Sequence, residues 1–381
     1  MVPFSVEMPA TIHFGVGALQ KLPSLIDGLG KRALVITGTR WFAESPWRAR
    51  ISDALAGRVC GQMCLPAGEP SGRSLAEAAA AAVRFSPDVL VAVGGGSVID
   101  SVKALSALLR FPGPAERFLE GVPGAVAVPG PGVPWVAVPT TSGTGAEVTK
   151  NSVVRSEDIG VKRSMRSPHL LASAVIVDPL LTLSLPADVT GTSGLDALTQ
   201  LVEAYVSRST NPFVQSIVEG AIGPMLAALE GLPGNPSSEE LRTQASYGAM
   251  ISGISLANAG LGAAHGFAAA VGGMFAVPHG LACAVFLPHV LAANAPLIRE
   301  PMARLLARVP GVPPSVDPTE WLGEKVQRIL ASFGLPADLR AFAIPRDRLA
   351  EIAEKSSGSS MRLNPKELST EERVGILSSV A

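Results

Sequence analysis

The residues best suited to chemistry fall into two groups. In the first, Gly194-Leu-Asp196-Ala-Leu-Thr-Gln200-Leu-Val-Glu203-Ala-Tyr205 reads as an amphipathic helix. Leu195, Leu198, Val202 and Tyr205 share one stripe, and Asp196, Gln200 and Glu203 recur on another at i, i+4 and i+7. Such a column describes a solvated helix face, and equally half of a metal site. Two of the five histidines, His265 and His279, stand downstream in the apolar segment GLGAAHGFAAAVGGMFAVPHG. Imidazoles in that setting need partners, and a divalent ion bridging Asp196 and both histidines supplies one economically. His289, in LPHV, reads as a structural or supporting histidine, and His13 and His169 as surface or turn residues.

The second group is Val91-Ala-Val-Gly94-Gly95-Gly96-Ser97-Val-Ile-Asp100, a strand, three glycines and a helix start. Glycines let a phosphate approach the backbone, and helix N-terminal N–H groups favour a pyrophosphate. The same pattern serves as a plain tight turn, and it is not the G-x-G-x-x-G fingerprint. Gly15-Val-Gly17 is nearer that fingerprint but ends in Gln20 without a clear strand–helix setting, and reads as a turn. A polar loop, Pro139-Thr140-Thr141-Ser142-Gly143-Thr144-Gly145-Ala146-Glu147-Val148-Thr149, follows the run Trp135 to Val138. Both loops follow expected strand ends, where open α/β sheets hold ligands.

The elements that must position these residues change character along the chain. Ala33 to Thr37, Asp88 to Val93, Trp135 to Val138 and Ala174 to Val177 are β-branched runs that predict buried strands. Ser74-Leu-Ala-Glu77 predicts a capping-box start for an Ala-rich helix reaching about Phe85. Strand, helix, strand implies a parallel α/β sheet. Past Pro186 the strand signal ends and Ala/Leu-rich helical spacing takes over, so a sheet domain over residues 1–185 and an all-helical domain over 186–381 are expected.

Composition narrows the partners. Lys plus Arg number 31 against 32 Asp plus Glu, a net charge of −1, which argues against nucleic acid and anionic membrane surfaces. The apolar run Leu261 to Val277 contains His265 and four glycines, too interrupted for a span of about 20 apolar residues. The start, MVPFSVEMPATIHFG, lacks signal-peptide character. Cys60 and Cys64 form a lone C-x3-C with no second pair at zinc-site spacing, so reduced thiols and a cytoplasmic location are expected. A homodimer or higher homo-oligomer is the expected assembly.

In order along the chain, GGGSVIDSVKA, PTTSGTGAEVT, the VKRS around Lys162, VDPLLTLSLP, GLDALTQLVEAYVS, HGFAAAVGG, VPHG and LPHV resemble the iron-containing alcohol dehydrogenases. The closing NPKELSTEERVGIL is similar too. The resemblance implies the two-domain fold shared with dehydroquinate synthases, with metal and nicotinamide in a cleft, and hydride transfer between NAD or NADP and a small alcohol, aldehyde or ketone. It carries metal ligation to Asp196, Gln200, His265 and His279, with iron or zinc as the ion. Gln200 departs from the family, which has histidine there, and an amide oxygen is the weaker donor. Ala269 departs where many members carry a proton-relay histidine, so no protein acid or base is assigned.

For the cofactor, the resemblance implies Gly94, Gly95, Gly96 and Ser97 at the pyrophosphate. It carries Thr140, Thr141, Thr144 and Thr149 to the diphosphate, ribose and nicotinamide, Lys162 to a ribose, and Ser71 to the adenosine. Gly38 falls where NAD-preferring members carry an acid, so NADP is permitted, with Arg40 as a candidate phosphate partner. Two rivals keep the fold. A metal-free maleylacetate-reductase-like enzyme is favoured by Gln200 and Ala269. A lyase like dehydroquinate synthase is disfavoured by the lack of a dense basic array.

Overall fold

The β-branched runs of the first half pair into one sheet. The computed structural model describes residues 3–39, 41–156 and 161–381. Among them the strands are β1 Ile12–Phe14, β2 Ala33–Gly38, β3 Val59–Leu65, β4 Val89–Gly94, β5 Trp135–Pro139, β6 Asn151–Ser156, β7 Val161–Arg166 and β8 Ala174–Val177. Six of them lie in the order β1-β8-β5-β4-β2-β3, every pairing parallel, while β6 and β7 form a separate antiparallel pair. Buried on both faces, β4, β5 and β8 are wholly apolar apart from their ends, as interior parallel strands must be.

From β2 the chain steps outward to β3, then returns to the other side of β2 to form β4. The direction of winding therefore reverses between β2 and β4, where open parallel sheets open a crevice at their strand C-termini. Gly38 ends β2 there, and Gly94 ends β4.

Two local expectations need correction. The Ala-rich helix spans Gly72–Val83, and its N-cap is Ser71: the Ser71 hydroxyl accepts from the Ser74 N–H at 3.2 Å while Ser74 Oγ accepts from the Ser71 N–H at 2.9 Å. The box is thus Ser71–Ser74, one turn before the Ser74–Glu77 reading. The Gly15–Gly17 segment also has a strand before it, β1, and helical turns after it, beginning at Ala18. It is nonetheless a turn, with both glycines at positive φ.

The chain divides into two compact units. The sheet unit comprises Glu7–Thr141 and Gly145–Ser184; the helical unit comprises Leu185–Ala381, Ser142–Thr144 and a short N-terminal stretch ending at Val6. Ser142–Thr144 group with the helices, and the Ser142 hydroxyl lies 2.9 Å from that of Ser246. Beyond Val177 there is no strand among the described residues. The principal helices are Ala187–Val206, Pro212–Gly231, Glu239–Ala259, Ala263–Phe275, His279–Leu306, Pro318–Ser332 and Thr370–Val380.

By length and composition Pro212–Gly231 and His279–Leu306 could each cross a membrane, two spans the sequence reading did not weigh. Within the helical unit they supply core: Val218, Ile222 and Met225 from one, Phe286, Leu287 and Ile298 from the other are buried.

Candidate metal centre and cofactor loops

The Ala187–Val206 helix is buried on both of its stripes. Leu195 and Leu198 are inaccessible, and Asp196, Gln200 and Glu203 are 5%, 2% and 3% exposed, so the polar column is no solvated face. Burying three such side chains demands partners for each. Gln200 finds one in Ser252, whose hydroxyl donates to Oε1 at 3.0 Å. Glu203 finds several at the start of the next functional helix.

That helix, Ala263–Phe275, has Gly262 as a cap residue without a side chain. The orphan N–H groups of its first turn are satisfied from outside. Glu203 accepts from Gly262 N at 3.0 Å and Ala264 N at 2.7 Å, and Asn364 Oδ1 accepts from Ala263 N at 3.1 Å. A carboxylate at a helix N-terminus also suits the helix dipole. Glu203 Oε2 further lies 2.7 Å from His265 Nδ1, which fixes the ring and turns Nε2 toward Asp196, 3.1 Å away. This is the orientation that metal-binding imidazoles acquire from a supporting carboxylate.

The third segment turns back sharply. Ala276, at φ 54°, takes the left-handed conformation that ends the Ala263–Phe275 helix, and His279 opens the next one. Gly280 allows this helix to approach: a Cβ there would stand 2.2 Å from the Thr192 carbonyl oxygen and 3.2 Å from Asp196 Cβ. His279 is thereby brought to His265, ring centroids 5.6 Å apart. One turn on, Cys283 shares its face, with Sγ 3.7 Å from His279 Nε2.

Asp196, His265, His279 and Cys283 thus offer one oxygen, two nitrogens and one sulfur, all within 4.8 Å of one another. Of the sequence candidates, Asp196, His265 and His279 converge. Gln200, on the same helix, points its oxygen at Ser252, and Cys283 was not anticipated, although His279-x3-Cys283 in a helix is i, i+4 spacing. His289 lies apart, 3.1 Å from the Ser379 hydroxyl, its pKa lowered by burial. Ala269, one turn past His265, is exposed.

The electrostatics favour positive charge. Burial would raise the Asp196 carboxyl, yet His279 and His265 hold it below the ordinary aspartate range. Burial opposes a charged His265, but Cys283, Asp196 and Glu203 raise it well above the ordinary value. His279 is pushed up to about 9, first by Cys283 and then by Asp196. Protons gather where a cation would be held, and cation binding there would release them. The donor set fits a borderline-soft divalent ion.

In the sheet unit, β4 and β5 end side by side, with Gly94 in register with Pro139 and Thr140 N donating to Gly94 O at 3.0 Å. A Cβ on Gly94 would stand 2.6 Å from Val98 Cγ2, which leaves no room for a side chain without a shift, and one on Gly95 would stand a tight 3.1 Å from Thr141 Cγ2. Gly96 differs: its Cβ would meet nothing nearer than Ala146 at 3.9 Å, which leaves space above the first turn of the Gly96–Arg110 helix. Ser97, in that turn, is exposed.

Thr149 is committed elsewhere, accepting from Lys103 Nζ at 2.7 Å and donating to Ala146 O at 3.1 Å. Ser71 is the helix cap described above, and Thr144 belongs to the helical unit. Lys162 pairs with Arg155 across β6 and β7; its side chain, and Arg40 entirely, lie outside the described residues.

Comparison with known proteins bears on both halves. The family profile described as iron-containing alcohol dehydrogenase matches residues 9–179, and that of the family's C-terminal region matches residues 190–381. The chain belongs to the iron-containing alcohol dehydrogenase family. It is accordingly an oxidoreductase, and the family implies a nicotinamide cofactor and a metal.

It is 32% identical to long-chain-alcohol dehydrogenase 1 of Geobacillus thermodenitrificans (strain NG80-2), over 92% of this chain and 89% of that one. It is also 32% identical to the maleylacetate reductase of Burkholderia cepacia, over 96% and 93%. A solved 1,3-propanediol oxidoreductase superposes with a TM-score of 0.92 at 26% identity, covering 100% of both chains. The two-domain fold expected from the resemblance is therefore that of this alcohol dehydrogenase family.

Proposed function

We propose that the chain interconverts small aldehydes or ketones and their alcohols by metal-assisted hydride transfer with NAD or NADP. The observation that carries this reading is the convergence of Asp196, His265 and His279, with Glu203 holding the His265 ring. These residues would hold an iron or zinc ion, which when bound polarises a carbonyl oxygen or lowers the pKa of an alcohol. Once a cation displaces the proton from Nε2, the Glu203 carboxylate beside Nδ1 would hold the remaining proton there and leave the Nε2 lone pair to the ion. Exposed His279 leaves one side of the cluster open to a small molecule.

For the cofactor, the free first turn beyond Gly96, at the reversal of winding between β2 and β4, suits a pyrophosphate. Gly38 at the end of β2 carries no acid to repel a 2′-phosphate, which supports use of NADP as well as NAD. Three free thiols, among them Cys283, suit a cytoplasmic enzyme.

A second reading, metal-free reduction of a substrate held by its own carboxylates, is favoured by Gln200 and Ala269 and by likeness to a maleylacetate reductase. Chelation separates the two. Purified protein assayed with both coenzymes against aldehydes, ketones and alcohols should lose turnover with its metal and regain it on adding iron or zinc. Full activity after exhaustive chelation would establish the metal-free reading instead.

A further inference from the structure

We infer that Cys283, rather than Gln200, completes the protein ligand set of the metal, making an Asp196–His265–His279–Cys283 centre that selects zinc-like, borderline-soft ions. The inference rests on the metal-assisted reading above and concerns which atoms hold the ion.

Three observations carry it. The first is position. A tetrahedral ion with metal–sulfur and metal–nitrogen bonds of about 2.3 and 2.0–2.1 Å requires sulfur and nitrogen donors about 3.6 Å apart. Cys283 Sγ and His279 Nε2 are 3.7 Å apart, and both side chains rise from one face of the His279–Leu306 helix. The pair is therefore already at ligand spacing. The second is prior commitment. Gln200 Oε1 lies 3.0 Å from the Ser252 hydroxyl, whose single proton it shares with Ala249 O at 2.8 Å. The Gln200 oxygen thus has a hydrogen-bond partner in Ser252, whereas Cys283 is fully buried with its sulfur within the cluster.

The third is donor type: a buried sulfur beside two imidazoles and a carboxylate completes a set suited to zinc-like ions, and thiolate ligation shifts preference away from magnesium and manganese. Metal binding in this arrangement moves the thiol proton to solvent as the sulfur–metal bond forms.

Cobalt(II) tests this without turnover. Metal-stripped chain reloaded with cobalt should bind one ion and show near-ultraviolet thiolate-to-cobalt charge-transfer absorption. Cys283→Ser should abolish that absorption and weaken zinc binding by at least about 10–100-fold, the range that even supporting partners of ligands command. Cys60→Ser/Cys64→Ser, altered in the sheet unit, should keep the absorption, which retains a reading should Cys283→Ser fold poorly. Cobalt bound without charge transfer, or absorption that survives Cys283→Ser, would overturn Cys283 as ligand while leaving the metal reading standing. Wild-type chain that binds neither cobalt nor zinc would remove both.

Discussion

Each unit of this alcohol dehydrogenase buries a charged cluster, and the two are built oppositely. In the sheet unit Lys103, with no exposed surface, spends its three ammonium protons on Asp100 Oδ1 at 3.2 Å, Thr149 Oγ1 at 2.7 Å and Asn151 O at 2.7 Å. Asp100 in turn accepts from Val153 N at 3.1 Å. Cation, anion and backbone close on one another and tie the Gly96–Arg110 helix to β6. In the helical unit Asp196, His265, His279 and Cys283 bring four donors of electron pairs together. A closed cluster stabilises a fold, and an open one calls for a cation. Buried charge alone does not mark a site; what marks it is the sign left unbalanced.

The comparison breaks most visibly at Lys103. Removing one partner from a buried, hydrogen-bonded pair leaves the other uncompensated and typically costs about 3–5 kcal/mol. Lys103→Met should therefore lower the stability of the sheet unit by about that much in urea denaturation. Metal content per folded chain should not change, because the metal cluster belongs to the other unit. A variant of wild-type stability, or one that loses its metal, would mean the two clusters are not separate in kind.

A smaller effect is expected at Glu147, the member of the sheet cluster least well served. Burial raises its pKa from 4.5 to about 7, with a backbone hydrogen bond and then Lys103 only partly offsetting. The folded state thus prefers the protonated acid. The associated stability is fully present below about pH 4.5 and is lost as pH rises through about 7. A shift of this size corresponds to on the order of 3 kcal/mol. Glu147→Gln should flatten the decline across that window and be the more stable protein above it. Parallel pH–stability curves for variant and wild type would show that Glu147 ionises freely in the fold.

How much of this was legible depends on how each residue is used. The strands β2, β4, β5 and β8 were readable because burial on both faces makes them nearly continuous apolar runs. At the sheet edge, β3 (VCGQMCL) is half exposed and β1 only three residues long, while β6 and β7 are polar, so none carried a pattern. Ser71 and Ser74 both suit a cap, and the Glu77 that favoured Ser74 proved irrelevant to it.

In the helical unit, Asp196, His265 and His279 stood out by residue type. Glu203 was visible as part of a column, but its role as cap and ring holder depends on backbone 59 to 62 residues away, which no local pattern encodes. Cys283 was hidden by habit of composition: a single cysteine among Leu, Ala, Val and Phe reads as core, and only the fold shows its sulfur beside His279.

The smallest expected effect sharpens the comparison from the helical side. Glu203 does two jobs with one carboxylate: it accepts the N–H groups of Gly262 and Ala264, and it holds His265 Nδ1 at 2.7 Å. Glu203→Gln keeps the shape and one acceptor oxygen but replaces the other with an NH2 group, which cannot accept from His265 or from the helix start. The charge that steadies the helix N-terminus is lost as well. If the carboxylate chiefly orients the ring, metal affinity should fall by about 10–100-fold, the usual cost of losing an oriented partner, while the chain stays folded. Glu203→Asp, shorter but still an acceptor, should recover part of that loss, whereas a purely structural role would move thermal stability in both variants and leave affinity per folded chain unchanged. Zinc titration beside thermal unfolding distinguishes these outcomes. Affinity unchanged in Glu203→Gln would show that the cluster holds its imidazole without help, and that the helical site is less dependent on its surroundings than the closed cluster of the sheet.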